Sequence, residues 1–192
     1  MDISDLAAQL REDTDQGVPP FGAESVQIAR RLGPTAADLL VSEIRARGDT
    51  AFLALEAIRE AATEAYESLP GRERAGIYVD ALTSNVFYNA WGVPGYHLTE
   101  TSRALIGLGE NAVAALTPLL SDLRPAPLSG SEDATTSTMY RNRVCDYAWV
   151  LINEIRGRAY QYSQDPEERD RAIEELRGQF ASPEAAPGES GG

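Results

Sequence analysis

The chain contains one histidine, His97, and one cysteine, Cys145. A catalytic cysteine–histidine pair, or a zinc site built on these two ligands, needs both side chains to meet in the fold. The sequence separates them, because Cys145 lies between Val144 and Ala148 in a helical pattern whereas His97 lies in a predicted loop. Free cysteines are usually small core side chains, so we expect Cys145 to be buried and His97 to be a hydrogen-bonding loop residue. We therefore predict no catalytic residue, no metal ligand and no cofactor-binding residue.

Arginine supplies all the positive charge of the side chains. The 17 basic residues are all arginine and the chain contains no lysine, which excludes a Schiff-base lysine and the lysine of a phosphate-binding loop. Thirty acidic residues bring the formal net charge to −13. This balance disfavours binding to nucleic acid, which needs a clustered basic face, and favours a protein partner with a basic or neutral surface.

Three further segments resemble functional motifs without completing them. The "GLG" at 107–109 lacks the rest of a dinucleotide fingerprint and a preceding strand, so it predicts a helix end. The segment "DPEERDRAIEELR", 165–177, lacks the spaced ligands and central glycine of a calcium loop and predicts a solvated helix face. The segment "SGSEDATTST" contains no nucleophile motif and belongs to a predicted loop over 124–138, which is long enough for a functional role.

Tyrosine and arginine cluster around the start of a predicted helix at 140–157. These two residue types dominate the energetic centres of protein interfaces, so this stretch is the best candidate for a binding surface. Arg143 and Asp146 are three residues apart and can pair on the helix; alternatively, they hold neighbouring helices in register. Stacked helix pairs would bring three earlier residues beside the same surface. The predicted partner-binding residues are Tyr140, Arg141, Arg143, Asp146, Tyr147, Arg103, Tyr96 and Trp91.

Apolar residues recur at helical spacing along almost the whole chain. One continuous stripe, for example, runs over 55–69 with steps of three and four residues. Pro34 suits the first turn of a helix, Thr99 is a predicted N-cap, and Asp165 followed by Pro166 and Glu168 predicts another helix start. We expect an all-α fold of about eight or nine helices, with a single domain at 1–180 and a flexible tail at 181–192.

One helical phrase occurs twice, 76 residues apart, as "RLGPTAADLLVSEI" at 31–44 and "GLGENAVAALTPLLSD" at 107–122. A repeated helix pair is typical of an α-solenoid, in which each pair buries its apolar stripe against the next. The second copy, with Pro118 inside it, resembles the first helix of a HEAT-like repeat. The stretch "RVCDYAWVLINEI" at 143–155 resembles the second helix, in a form seen in bacterial HEAT-repeat proteins. The resemblance is clearest over 99–157 and implies a short, curved α-solenoid scaffold that binds other macromolecules, usually proteins.

Three functional hypotheses follow. The first is a non-enzymatic HEAT-like scaffold or adaptor that binds a protein partner through a concave helical face. The alternative is a small-molecule or chromophore-handling protein, or an enzyme, with a pocket between helices, because some HEAT-like proteins resemble phycobilin lyases. The third is an acidic mimic of nucleic acid. The absence of a signal sequence and of a long apolar run predicts a cytoplasmic protein with no membrane segment, and the oligomeric state stays open.

Overall fold

The computed structural model describes residues 2–84, 86–126, 128 and 132–181, and these residues are predominantly α-helical. They form eleven α-helices, two short 3₁₀ segments and one small hairpin. The elements in chain order are α1 (Ile3–Asp15), α2 (Glu24–Leu32), a 3₁₀ segment (Gly33–Ala36), α3 (Ala37–Ala46), α4 (Ala51–Ala61), α5 (Thr63–Ser68), α6 (Gly71–Ser84), β1 (Gly92–Val93), β2 (His97–Leu98), α7 (Glu100–Ile106), α8 (Glu110–Leu116), a second 3₁₀ segment (Thr117–Ser121), α9 (Glu132–Tyr140), α10 (Val144–Ile155) and α11 (Pro166–Ala181).

Side-chain caps fix several of the helix starts. Asp2 and Asp5 form a capping box at α1. The side chain of Thr99 accepts a hydrogen bond from the backbone N–H of Ser102, which confirms it as the cap of α7. At α11, Asp165 accepts from the N–H of Glu167, whereas the Glu168 carboxylate, predicted to complete a capping box, instead accepts from the Ser163 hydroxyl. The helix starts were therefore readable from local sequence.

Two helices, α4 and α10, lie at the centre of the structure. Every residue from Ala51 to Ile58 in α4 and from Val144 to Asn153 in α10 is buried. Helices α2 and α3 pack on α4, while α8 and the 3₁₀ segment Thr117–Ser121 pack on α10. Helix α6 contacts both α4 and α8 and so joins the two groups. Because these stretches are buried on all sides, α4 and α10 are enclosed instead of presenting one stripe to a neighbour.

The two copies of the repeated phrase share one glycine conformation and most of their burial pattern, but their α and 3₁₀ segments come in the opposite order. Gly33 and Gly109 end a helical turn with nearly the same left-handed backbone, φ 59° and ψ −145° against φ 58° and ψ −134°. The prolines fall in the first turn of a 3₁₀ segment in both copies, which precedes α3 in the first copy and follows α8 in the second. Three of the four matched apolar pairs are buried, namely Ala36 with Ala112, Leu40 with Leu116 and Ile44 with Leu120, while Leu32 and Leu108 are both partly buried.

The structure corrects the sequence prediction at three places. The stripe at 55–69 belongs to two helices, because the backbone at Ala62 leaves the helical region (φ −149°, ψ 73°) and separates α4 from α5. The predicted loop at 124–138 contains most of helix α9. The predicted loop around 91–98 contains an antiparallel two-residue pairing of Gly92 with Leu98 and Val93 with His97. All three features depend on contacts that a helical periodicity does not encode.

The buried apolar residues form one cluster that extends from Leu6 in α1 to Leu176 in α11. The tail predicted at 181–192 lies outside the described residues, apart from Ala181 at the end of α11. In the described ranges, no single helix is long and apolar enough to cross a membrane. The bent pair Glu100–Ile106 and Glu110–Ser121 reaches the required length and composition only across a bend of 105°.

Candidate functional site

An open groove on the surface has two walls. The β1–β2 hairpin and α7 form one wall, and the end of α10 and the α10–α11 connection form the other. The volume of the groove is about 710 Å³. We call it the tyrosine groove because three tyrosine rings line it. The lining residues are Gly95, Tyr96, His97, Leu98, Arg103, Ile106, Glu154, Arg158, Ala159, Tyr160 and Tyr162.

The hairpin wall of the groove is seated directly on an aromatic ring. Gly95 has a left-handed φ of 74°, and a Cβ atom at this position would lie 2.3 Å from the ring of Tyr162. Only glycine fits this conformation and this contact. The hydroxyl of Tyr147 donates a hydrogen bond of 2.5 Å to the carbonyl of Gly92, which ties the same hairpin to α10. The wall is thus held from below by two tyrosines, while Tyr96 projects from the hairpin with 78% of its surface exposed.

Aromatic rings continue from the groove into the body of the protein. Trp149 of α10 packs edge-on against Tyr160, with ring centroids 5.2 Å apart, and is tilted against Tyr162 at 6.1 Å. Tyr140 stacks on the far side of Tyr162 at 6.2 Å. The hydroxyl of Tyr162 donates to the side-chain oxygen of Asn142 over 2.6 Å. These contacts fix the rotamers of Tyr160 and Tyr162.

A buried ion pair holds the chain segments behind these rings. The side chain of Arg169 in α11 is fully buried, and its Nε donates to the Asp146 carboxylate of α10 over 3.0 Å. Its two terminal nitrogens donate to four backbone carbonyls, those of Ser163, Gln164, Tyr140 and Arg141, at 2.6 to 3.3 Å. Arg169 therefore clamps both the α9–α10 turn and the α10–α11 connection, from which the groove tyrosines arise.

The Asp146 carboxylate also anchors the start of α10. It accepts hydrogen bonds from the backbone N–H and the guanidinium of Arg143, at 2.8 to 3.1 Å, and Arg143 pairs in addition with Asp170. The hydrogen bond to Asp146 is the main cause that raises the pKa of Arg143. This geometry supports the interpretation in which Arg143 and Asp146 keep neighbouring helices in register.

Burial shifts the acid–base properties of the groove tyrosines. Burial is the main reason that the pKa of Tyr160 is raised, and the hydrogen bond of 2.6 Å that Tyr160 donates to Glu154 raises this pKa further. Burial also raises the pKa of Tyr162, with the Asp146 charge as the next contribution. Both phenols therefore stay protonated through the physiological range. The groove offers them as hydrogen-bonding ring edges rather than as bases.

The predicted binding residues divide into three groups. Tyr96 and Arg103 line the groove. Three more of them lie beside or behind the groove. Tyr140 stacks on Tyr162, and Arg141 is exposed on the turn before α10. Arg143 is paired with the carboxylates of Asp146 and Asp170.

The remaining three residues, Asp146, Tyr147 and Trp91, are buried to 1% exposure or less. This corrects their assignment to a surface, because a partner does not reach side chains at this depth. Asp146 and Tyr147 instead position the groove walls. Trp91 packs in the core against Phe52, with ring centroids 5.9 Å apart.

A second buried polar cluster joins α4, α6 and α7. The Glu56 carboxylate, 1% exposed, accepts hydrogen bonds from Tyr78 at 2.6 Å, from Arg59 at 2.9 Å and from Thr101 at 3.3 Å. Burial and the Glu56 charge raise the pKa of Tyr78. Glu56 is the only charged residue in the apolar run "AFLALEAI", and this isolation was a usable signal for a buried, partnered acid.

The described residues contain no group of three or more potential metal ligands. Cys145 is buried as predicted, and burial raises the pKa of its thiol to about 11, so it is held as an unreactive thiol. His97 lies on the exposed side of the hairpin, with its ring 5.5 Å from that of Tyr96. The thiol is therefore a core group, and the imidazole belongs to the groove.

Sequence reasoning missed the groove residues that follow α10. In "RGRAYQYSQD", Tyr160 and Tyr162 are two residues apart after a glycine, and this spacing was the available signal. Arg169 carried no signal, because it lies among the charged residues of a helix that looks solvated on that face.

Comparison of the chain with family models, with curated proteins and with solved structures found no match. Function is therefore inferred from the geometry of this molecule.

Proposed function

We propose that this chain is a non-enzymatic binding protein whose tyrosine groove holds an extended segment of a protein partner. The observation that carries the proposal is the groove itself, an open space of about 710 Å³ bordered by exposed Tyr96, by Arg103 and by the fixed rings of Tyr160 and Tyr162. Tyrosine and arginine supply much of the binding energy in protein interfaces, because they bury a large apolar area and still offer polar edges.

Preorganisation supports the same proposal. Binding is stronger when the groups that contact the partner lose little freedom on association. Here Tyr162 is fixed by Asn142, by the stacked Tyr140 and by the backbone of Gly95. The two fixed rings of Tyr160 and Tyr162, with the exposed ring of Tyr96 beside them, suit an apolar or aromatic side chain inserted from a partner.

Charge indicates the composition of the partner segment. Arg103 and Arg158 both line the groove, and the carboxylate of Glu154, the one acidic group there, already accepts from Tyr160. The lining residues carry a formal charge of +1 in a protein of net charge −13, and Glu100, which does not line the groove, pairs with Arg103 at 2.5 Å. We propose that the segment carries an acidic residue next to an apolar or aromatic one.

The proposal includes a HEAT-like arrangement of related helical units. Its support is the repeated phrase, in which the two glycine steps share one backbone conformation and three of the four matched apolar pairs are buried. Each copy packs beside a fully buried helix, α4 or α10. The tyrosine groove opens beside the second of these units.

Selection from a random peptide library displayed on phage tests this function. The full chain is expected to enrich peptides with an acidic and an aromatic or apolar residue, and synthetic versions should bind it in fluorescence anisotropy. Tyr96→Ala and Arg103→Glu should each weaken binding at least tenfold, since both remove groups typical of hot spots. Phe21→Ala removes an aromatic side chain that is 68% exposed outside the groove, so its affinity should match that of the wild type.

Two results would refute the proposal. One is the absence of any enriched peptide from a diverse library. The other is an enriched peptide whose affinity is the same for wild-type protein, Tyr96→Ala and Arg103→Glu. Circular dichroism of each variant checks that the helical fold is retained, and exposed substitutions of this kind change stability little.

A further inference from the structure

A separate cavity of about 400 Å³ lies where the end of α1 meets the turn between α3 and α4 and the end of α6. It shares no lining residue with the tyrosine groove. Its volume falls within the range of pockets that bind small molecules. This site does not depend on the function proposed for the groove.

The floor of the cavity is apolar and aromatic. The rings of Phe52 and Phe87 are both 3% exposed, and their centroids are 4.6 Å apart at an angle of 50°. Ile77 and Ala81 of α6 complete this floor. A ligand with an apolar body would bury part of its surface against this floor.

The rim of the cavity carries an excess of negative charge. Asp15, Asp49 and Asp80 line it together with one cation, Arg47, so the formal charge of the lining residues is −2. All four side chains are exposed, and none of them forms an ion pair or hydrogen bond with any described residue. Among the described residues, these four side chains keep a net formal charge of −2 at the rim.

A close contact between two backbone segments holds the walls of the cavity. Gly17, with a left-handed φ of 64°, brings the turn after α1 against the backbone of Val86, and a Cβ atom there would lie 2.4 Å from the Val86 carbonyl oxygen. This contact between two backbone segments fixes the distance between Asp15 at the end of α1 and Phe87 after α6. A preformed cavity of this type needs little rearrangement to bind.

We propose that this cavity binds a small organic cation, an amine whose apolar body rests on Phe52 and Phe87 and whose ammonium group faces the aspartates. The apolar floor selects the body of the ligand, and the excess of carboxylates selects its charge. Arg47 opposes a cation, so its removal should strengthen binding, whereas removal of an aspartate should weaken it.

Three probes with one phenyl ring and different charges test the proposal by isothermal titration calorimetry of the full chain. We expect 2-phenylethylammonium to bind most tightly, 2-phenylethanol several-fold more weakly, and phenylacetate most weakly. The preference for the cation should shrink at high salt, because the rim is exposed and screened. Equal affinity for the three probes, a preference for phenylacetate, or no binding of the cation at millimolar concentration would overturn the proposal.

Charge variants of the rim provide the sharper test. Asp80→Asn and Asp49→Asn should each reduce the affinity for 2-phenylethylammonium about two- to fivefold, and Arg47→Gln should raise it by a similar factor. Asp38→Asn changes an exposed aspartate outside the cavity and should leave the affinity unchanged. If the rim variants behave like Asp38→Asn, the aspartates do not contact the ligand. Tyr96→Ala should not affect amine binding, which separates this site from the tyrosine groove.

Discussion

Replacement of Arg169 by methionine should destabilise the protein strongly. The substitution keeps a long apolar stem but removes the guanidinium that donates to Asp146 and to four backbone carbonyls, all from a position with no exposed side-chain surface. Breaking a buried ion pair by removing one partner typically costs about 3–5 kcal/mol, because the remaining charge and the carbonyls stay buried without their donors. For a domain of this size that loss corresponds to a decrease in Tm of roughly 6–20 °C.

Urea unfolding followed by circular dichroism measures this free energy, and calorimetry gives the Tm. The matched control is Arg171→Met in the same helix, because Arg171 is exposed and makes one hydrogen bond of 3.3 Å to the carbonyl of Glu167. The control should lie within about 0.5 kcal/mol of the wild type. A loss below about 1 kcal/mol for Arg169→Met would show that the clamp is not a main support of the groove.

Three further predictions concern other contacts. Glu56→Ala leaves the buried hydroxyl of Tyr78 without its acceptor and should cost at least about 2 kcal/mol in urea unfolding, against about 0.5 kcal/mol or less for the exposed Glu64→Ala. Gly95→Ala forces a Cβ atom onto Tyr162 and should cost about 1–3 kcal/mol more stability than Gly109→Ala, where a Cβ atom meets nothing within 4 Å. Gly95→Ala should also weaken peptide binding. Equal losses of stability in the two variants would contradict the close contact. Because folding raises the pKa of Tyr160, its stabilising contribution is complete below about pH 10 and is lost as the pH rises further. Tyr160→Phe should therefore reduce the alkaline loss of stability, measured by urea unfolding and tyrosinate absorbance. An unchanged alkaline profile would contradict this prediction.

Much of the helical architecture could be predicted because its signals are local. Apolar spacing located the helices, and the caps at Thr99 and Asp165 were visible as single polar residues before apolar runs. The burial of Cys145 followed from its place on an apolar helix face. In each of these cases the residues that determine the outcome lie within one or two turns of each other.

The errors occurred where the local pattern did not determine where a helix ends or whether one forms. The stripe at 55–69 continues smoothly through Ala62, yet the backbone bends there, and its apolar residues divide between α4 and α5. The sequence at 132–140 is rich in small polar residues with weak helix preference, and it nevertheless forms α9. Tertiary contacts decide such segments because the local preference for either state is small.

The candidate site was the least predictable part of the molecule. Residue type correctly directed attention to the tyrosines and arginines, and Tyr96 and Arg103 do line the groove. Residue type did not distinguish them from Tyr147 and Asp146, which are buried, or indicate that Arg169 reaches across to Asp146 from 23 residues away. Tyr160 and Tyr162 became groove residues only because the hairpin folds against them.

The helical class of this protein and the helix starts with side-chain caps were contained in the order of its residues, because hydrogen bonds within a turn and the spacing of apolar side chains act over short distances. The choice of which polar side chains are enclosed and which face the groove arose only when α7, α10, α11 and the hairpin came together. Burial is a property of all the neighbours of a side chain, and for Asp146, Arg169 and Tyr162 most of those neighbours are distant in the chain.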